Sequence, residues 1–331
     1  MFRPVKVKPE ELKLLNENLL EEAQLNLNFA FLAISSCIIA TLGLLVNSPA
    51  VIIGAMIIAP LMMPLRGLAL GTLNGNRHLI TQSLFTLGLG TIISIIISAI
   101  LGKFFNLPAL SFGSEILART QPNLADLGVA IVAGGVSGFA KIRPKVSDAL
   151  AGTAIAVALM PPLCVVGISL SQYELHAASG AFLLYLTNFL GITLACMIVF
   201  VLGGYFGEHR QMRKALFWFT ALIGLIIVPL LLSLISLIRQ AQIKATLKEI
   251  LQRETITIGQ KAELIDLNIK WRFNPWSQVP LKLIITIRSG EEITSKQVQE
   301  VEKFLTQRLH QAFKVTLRVI PYKEIESPSS S

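Results

Sequence analysis

The sequence predicts an all-α polytopic membrane bundle of about seven transmembrane helices, organised as a 3+3 inverted repeat plus one, followed by a small α+β soluble module. Three observations predict it. Hydrophobic residues make up 53% of the chain and charged residues 15%, with mean hydropathy +0.64, whereas soluble domains carry about a quarter charged residues. Between residues 29 and 238 the few charges cluster in short stretches, and the two flanks hold the rest. A set of residues also recurs at a shift of 98 positions, in two stretches that each contain three apolar spans.

Residues 1–28 read as an N-terminal arm. From Pro9 to about Asn28, Leu12, Leu15, Leu19 and Ala23 share one helical face, and Glu10, Glu17 and Glu21 lie off it. An acidic polar face suits packing on the protein's own bundle, because a membrane-surface helix prefers basic residues there. The arm has no short basic region of the kind that precedes a cleavable signal segment, so the first span is expected to be retained.

A helix needs about 20 apolar residues to cross a bilayer. Seven segments qualify within residues 29–238: 29–46, 49–73, 79–102, 122–140, 148–170, 177–205 and 215–238. The fourth is short and glycine-rich, yet it is uncharged from Leu127 to Ala140. Arg77, then Lys141, Arg143 and Lys145, then Arg210, Arg213 and Lys214 fall in alternate loops, and the arm adds Arg3, Lys6, Lys8 and Lys13. The opposite loops carry only Lys103 and Arg119. The positive-inside rule then puts the N-terminus in the cytoplasm of a multi-pass protein of the cell (inner) membrane, with the C-terminal module on the opposite side. A span counted wrongly would move that module to the cytoplasm.

The module, residues 239–326, reads as α-β-β-α-β. Residues 239–253 are helical in pattern, and Ile265, Leu267, Ile269 and Trp271 alternate with polar residues as in a half-buried strand. Residues 281–288 alternate likewise; residues 295–313 form a helix with Val298, Val301, Leu305 and Leu309 inward, and Val315, Leu317 and Val319 form a last strand. This makes a one-sheet layer that a second subunit could complete, so a homo-oligomer is expected. Residues 327–331 read as a disordered tail. The net charge of +9 shows no basic stripe interleaved with aromatics, which argues against nucleic acid as a partner and for the lipid bilayer.

Gly54, Ile57, Leu61, Met62, Pro64 and Leu65 recur as Gly152, Ile155, Leu159, Met160, Pro162 and Leu163. Three spans per unit is an odd number, so the second unit enters the membrane inverted relative to the first. Interrupted helices at matching positions of such repeats mark midplane sites of transporters. Pro60 and Pro64 lack the N–H groups that would pair the carbonyls of Met56 and Pro60, and Pro161 and Pro162 do the same to Val157 and Ala158. Unpaired carbonyls persist in hydrocarbon only where protein, water or a ligand satisfies them. A simple kink relieved by nearby Ser or Thr is the competing expectation.

Arg66, inside the second span, either engages an anion or carboxylate or extends to the surface. The run Ala118–Asp126 is the densest polar stretch: Thr120 or Gln121 would cap a helix whose first residue is Pro122, and Asn123 and Asp126 would share its face. Arg119 could meet an anionic group, and Asp126 a proton or cation. Asn188 lies mid-span, where interhelical hydrogen bonding is its ordinary role. Gly67/Gly71, Ala130/Gly134/Gly138 and Gly203/Gly207 have the spacing of close helix packing. Cys37, Cys164 and Cys196 read as small apolar residues. No metal-ligand spacing, catalytic triad or phosphate loop is present, so neither enzyme nor cofactor is expected.

Residues 39–62, the 118–126 run, 154–162 and Leu186-Thr187-Asn188 together resemble the membrane-protein family described as domain of unknown function 389, over about residues 26–205. The resemblance implies a bacterial-type integral membrane protein. It marks Gly54, Pro60, Arg119, Gln121, Pro122, Asn123, Asp126, Pro161 and Pro162 as motif positions and implies no substrate. The expected function is a secondary transporter or permeation protein for a small solute or ion. A channel, or a sensor or assembly protein acting through its C-terminal module, are the alternatives.

Overall fold

The computed structural model describes residues 6–105, 112–143, 148–253, 262–270, 281–289, 294–309 and 313–321, with the backbone alone over 148–158, over most of 236–241 and 248–253, over 262–264 and 266–270, and at 244, 281, 282 and 309. The chain divides into two compact units, Met1–Leu234 and Ile235–Ser331. The expected tail, Trp271 and Lys145 lie outside the described residues.

In the first unit the helices are α1 (Pro9–Glu22), α2 (Leu27–Leu45), α3 (Pro49–Ile58), α4 (Met62–Asn74), α5 (Arg77–Phe105), α6 (Ser114–Leu117), α7 (Leu124–Ile142), α8 (Asp148–Ser171) and α9 (Leu175–Leu202). The helix α10 (His209–Arg253) continues into the second unit. The seventh predicted span and the module's first helix are therefore one helix. Nothing in residues 209–253 breaks it except Pro229, which the helix absorbs.

By length and composition α2, α5, α7, α9 and the His209–Ile235 part of α10 can each cross a membrane, and α3 with α4 adds a sixth crossing if the pair counts as one. These apolar helices are compatible with a multi-pass membrane protein. The remaining predicted span is α8, whose segment Leu159–Ser171 is apolar.

The expected break in the second span is present: α3 and α4 bend by 52°. Its cause is local. Pro60 disfavours helical geometry in the residue before it, and Ala59 accordingly turns to φ −59°, ψ 121°. Pro64 falls at the third position of α4, in the first turn, where a missing N–H has no intrahelical partner to lose. In the second of the two matching stretches the expectation fails, since α8 runs through Pro161 and Pro162 without interruption.

Two further boundaries differ from those expected. The arm helix stops at Glu22, because Asn26 takes extended geometry and caps α2 through the Phe29 N–H at 2.7 Å. Asn123, not Thr120 or Gln121, caps the later helix, which starts at Leu124.

Element boundaries recur through the two stretches. Leu27–Leu45 is followed about 98 residues later by Leu124–Ile142, and Arg77–Phe105 by Leu175–Leu202. The left-handed turn after α4, Gly75 at φ 68°, is matched after α8 by Tyr173 at φ 60°. The packing partners recur as well: α2 with α3 as α7 with α8, α2 with α5 as α7 with α9, α4 with α5 as α8 with α9, and α4 with α9 as α8 with α5.

Loop contacts sort into two ends. At one, Asn47 Oδ1 accepts from Ser114 Oγ at 3.2 Å and from the Glu115 N–H at 2.9 Å, and Gln172 Nε2 donates to the Gly102 carbonyl at 3.0 Å. At the other, the Val7 N–H donates to the Gly204 carbonyl at 3.2 Å, and Lys141 pairs with Glu22. The arm lies at this second end, with Leu15, Leu19 and Ala23 buried against α4 and α5. That is the packing on its own bundle that the acidic face predicted.

Small residues set the tightest approaches. A Cβ on Gly134 would lie 2.4 Å from the Ile192 carbonyl oxygen, and one on Gly167 would lie 2.4 Å from that of Ile95. Such distances leave room for hydrogen only, so α7 meets α9, and α5 meets α8, backbone to backbone.

The second unit carries a three-stranded sheet in the order β1 (Ala262–Lys270), β2 (Leu281–Ser289), β3 (Phe313–Pro321). The pair β1–β2 is antiparallel, with an irregularity between Leu264 and Asp266, and β2–β3 is parallel. The helix α11 (Ser295–Leu309) provides the crossover a parallel pair requires. Its Val301 and Leu305 pack with Leu283, Ile285 and Ile287 of β2, and with Leu247 and Ile250 at the end of α10.

Candidate functional site

The site grows from the segment that follows α5. The four-residue helix α6 places Glu115 and Arg119 one turn apart, and Arg119 Nη1 reaches Glu115 Oε2 at 2.9 Å and also donates to the Glu115 carbonyl oxygen. The pair is held in place from two sides. Asn47 grips the start of α6, and Gly180 of α9 sits so close to the Thr120 carbonyl oxygen that a Cβ there would lie 1.9 Å from it.

The chain then enters α7 through a reciprocal cap. Asn123 Oδ1 accepts from the N–H groups of Ala125 at 2.8 Å and Asp126 at 3.4 Å, while the Asn123 N–H donates to Asp126 Oδ2 at 2.8 Å. The cap satisfies two N–H groups of the first turn and fixes the Asp126 side chain. It also occupies only one of the two carboxylate oxygens in the bond to Asn123.

These elements enclose a cleft of about 290 Å³ lined by Glu115, Ala118, Arg119, Asp126, Val129, Pro162, Leu184 and Asn188. Pro162 lies near the middle of α8 and Asn188 in the middle of α9, so the cleft reaches from the α6 end to half the depth of the bundle. Its lining carries two carboxylates and one guanidinium, a formal charge of one negative when all are ionised. Because Arg119 is already matched by Glu115, Asp126 supplies the surplus negative charge.

Of the residues expected to form a site, Arg119, Asp126, Pro162 and Asn188 meet in this cleft. Asn123 stands beside it as the helix cap. Met56, Pro60, Pro64 and Pro161 are buried and do not line it. The carbonyls at the first break are not free for a ligand: that of Met56 accepts from the Ala59 N–H and that of Pro60 from the Met63 N–H, each at 3.3 Å. Ser36 Oγ also donates to the Ala55 carbonyl at 2.7 Å, so the kink is relieved by a neighbouring hydroxyl and by tightened turns. The backbones of Val157 and Ala158 lie within α8, and their side chains fall outside the described residues.

Arg66 neither extends to a surface nor enters the cleft. It is 1% exposed, and its Nε donates to Ser137 Oγ of α7 at 2.6 Å. Glu115 is the charged cleft residue that sequence reasoning missed, along with the apolar Ala118, Val129 and Leu184. The available signal for Glu115 was its spacing of four from Arg119, the spacing of helical ion pairs. Among the described residues no group of three or more His, Cys, Asp or Glu side chains could hold a metal ion.

Comparison with known proteins places this region. Residues 56–194 match the model of a family described as Domain of unknown function (DUF389), a span that takes in every candidate residue from Met56 to Asn188. An uncharacterized protein of Methanocaldococcus jannaschii is 30% identical over 192 residues, which are 58% of this chain and 59% of that one. The chain thus spans about three-fifths of the length of the curated relative it matches. No solved structure matches it. Residues 56–194 are thus similar to domain of unknown function 389, the family that the apolar and Arg-Thr-Gln-Pro-Asn motifs resemble.

Proposed function

We propose that this protein is a secondary transporter or related permeation protein for a small solute or ion, acting in the cell (inner) membrane and not as an enzyme. The observation that carries the reading is the half-depth cleft with Asp126 on its wall and Asn188 and Pro162 at its inner limit. A carboxylate within an apolar bundle is costly unless it serves a pathway or a pairing, and in this cleft the pairing of Arg119 goes to Glu115. The site therefore favours a proton or small cation at Asp126.

The recurring boundaries and packing partners support two structurally related units, as the matching motifs predicted. In that relation the counterparts of the cleft residues Leu184 and Asn188 are Thr86 and Gly90, 98 positions earlier. These are filled in. Thr86 Oγ1 donates to the Ala23 carbonyl at 2.7 Å, and Phe29 and Leu61 lie against Gly90. One cleft open at the α6 end and its counterpart closed beneath the arm is the arrangement alternating access requires. The same reading keeps the end bearing Arg77, Lys141 and Arg210 in the cytoplasm, the module across the membrane, and the chain in a homo-oligomer.

Flux into liposomes, driven by imposed proton, sodium or potassium gradients, tests the proposal. The wild-type chain should carry at least one of these ions or a solute coupled to it. Asp126→Asn, which retains an oxygen for the cap, should reduce that flux at least tenfold. Wild-type liposomes indistinguishable from empty ones would remove the transport reading. One observation favours the alternative of a sensor: α10 is a single helix shared by the bundle and the module. That reading predicts no flux and a phenotype lost when the chain ends after about residue 238.

A further inference from the structure

The start of α10 carries a group of side chains that the cleft does not explain. Arg210, Arg213, Lys214, Phe217 and Trp218 line a shallow groove of about 560 Å³. Their spacing of three, four, seven and eight puts them on one helical stripe, and all five are exposed. The other side of the same turns is packed: Ala215 is buried, and Met212, Leu216 and Phe219 pack against the core of the first unit. The stripe therefore faces whatever surrounds the bundle.

Its chemistry changes along the helix. Three cations occupy the first turns, the two aromatic rings follow, and Leu225, Val228 and Leu232 continue as exposed apolar residues at 71%, 58% and 63%. No ion pair to Arg210, Arg213 or Lys214 is formed among the described residues. Arg210, in the first turn, is also unfavourable for the helix itself, because that end already carries the positive end of the dipole. An exposed cluster of three cations with no ion pair among the described residues suits an anion outside the chain.

We propose that this stripe binds the headgroup of an anionic glycerophospholipid. The guanidinium groups of Arg210 and Arg213 and the Lys214 ammonium take the phosphodiester, aided by the positive end of the dipole. Trp218 lies at the level of the glycerol backbone, where amphipathic rings settle at membrane interfaces, with the apolar ring of Phe217 beside it. The acyl chains run along the exposed apolar residues from Leu225 to Leu232. The apolar continuation is what commits the site to a lipid over a free phosphate, since a soluble anion has no use for it. The inference stands independently of transport.

Trp218 provides the test. In full-length chain with Trp271→Phe and Trp276→Phe it is the remaining tryptophan of three, and its fluorescence is quenched by brominated lipid in contact with it. In vesicles containing brominated phosphatidylglycerol and brominated phosphatidylcholine, a preference for the former of roughly five- to tenfold is expected, from the attraction of three cations to an anionic headgroup. Arg210→Gln, Arg213→Gln and Lys214→Gln together should bring it to about one. Equal quenching by the two lipids, or a preference unchanged in the triple variant, overturns the proposal. Loss of the preference on adding millimolar inorganic phosphate overturns the lipid assignment in favour of a soluble anion. Native mass spectrometry of the unsubstituted chain provides a second readout: retained phosphatidylglycerol supports the site, and its absence counts against it.

Discussion

Asp126 and Arg66 are two ionisable residues within apolar helices, and their surroundings assign them opposite parts. Arg66 is enclosed and bonded to Ser137, which makes it a tie between α4 and α7. Asp126 is half-buried on a cleft wall, with one oxygen committed to the helix cap. Sequence alone shows both as charges in spans and cannot distinguish them, because the distinction depends on Ser137, which lies 71 residues from Arg66. Tyr173 shows a local cost of the same kind. It holds φ 60° where its counterpart is Gly75, and a side chain in the left-handed region costs about 1–2 kcal/mol. Tyr173→Gly is therefore expected to raise unfolding stability in detergent by about 1 kcal/mol, measured by denaturant titration. A loss of stability would show that the Tyr173 side chain contributes more than its backbone costs.

At the scale of elements, most helices were legible because each has a clear chemical start or stop. Asn26 and Asn123 cap, Pro49 opens α3, and Gly75 ends α4. The double proline of α8 was misread as a break. A missing N–H removes one hydrogen bond per proline, but a helix keeps its course when neighbours confine it, and α8 lies between α5, α7 and α9. The glycines separate packing from propensity cleanly. Gly134 and Gly135 are adjacent on α7, yet a Cβ on the first meets the Ile192 backbone and one on the second meets nothing within 4 Å. Gly134→Ala should lower thermal stability markedly by forcing α7 from α9. Gly135→Ala should leave it unchanged or raise it by up to about 1 kcal/mol through helix propensity. Equal effects would contradict the close contact of these two helices.

For the whole molecule, the cleft is open at the α6 end, whereas the region around Thr86 and Gly90, 98 positions before Leu184 and Asn188, is filled by Ala23, Phe29 and Leu61. The recurring letters were visible in the sequence, but the filling around Thr86 and Gly90 depends on the chain from Ala23 to Phe29, whose docking no periodicity describes. Lys141 and Glu22 join the arm to the end of α7. If the arm must move for transport, bridging Glu22→Cys to Lys141→Cys with a bifunctional maleimide should stop flux in liposomes. Undiminished flux after complete bridging would show that the arm is a fixed part of the bundle. The most direct test of the cleft is water access at Asn188. In a chain with Cys37, Cys164 and Cys196 replaced by serine, Asn188→Cys should react with a membrane-impermeant maleimide added to the side bearing α6, whereas Gly90→Cys should react from neither side. Labelling of Gly90→Cys with Asn188→Cys inert would contradict the account.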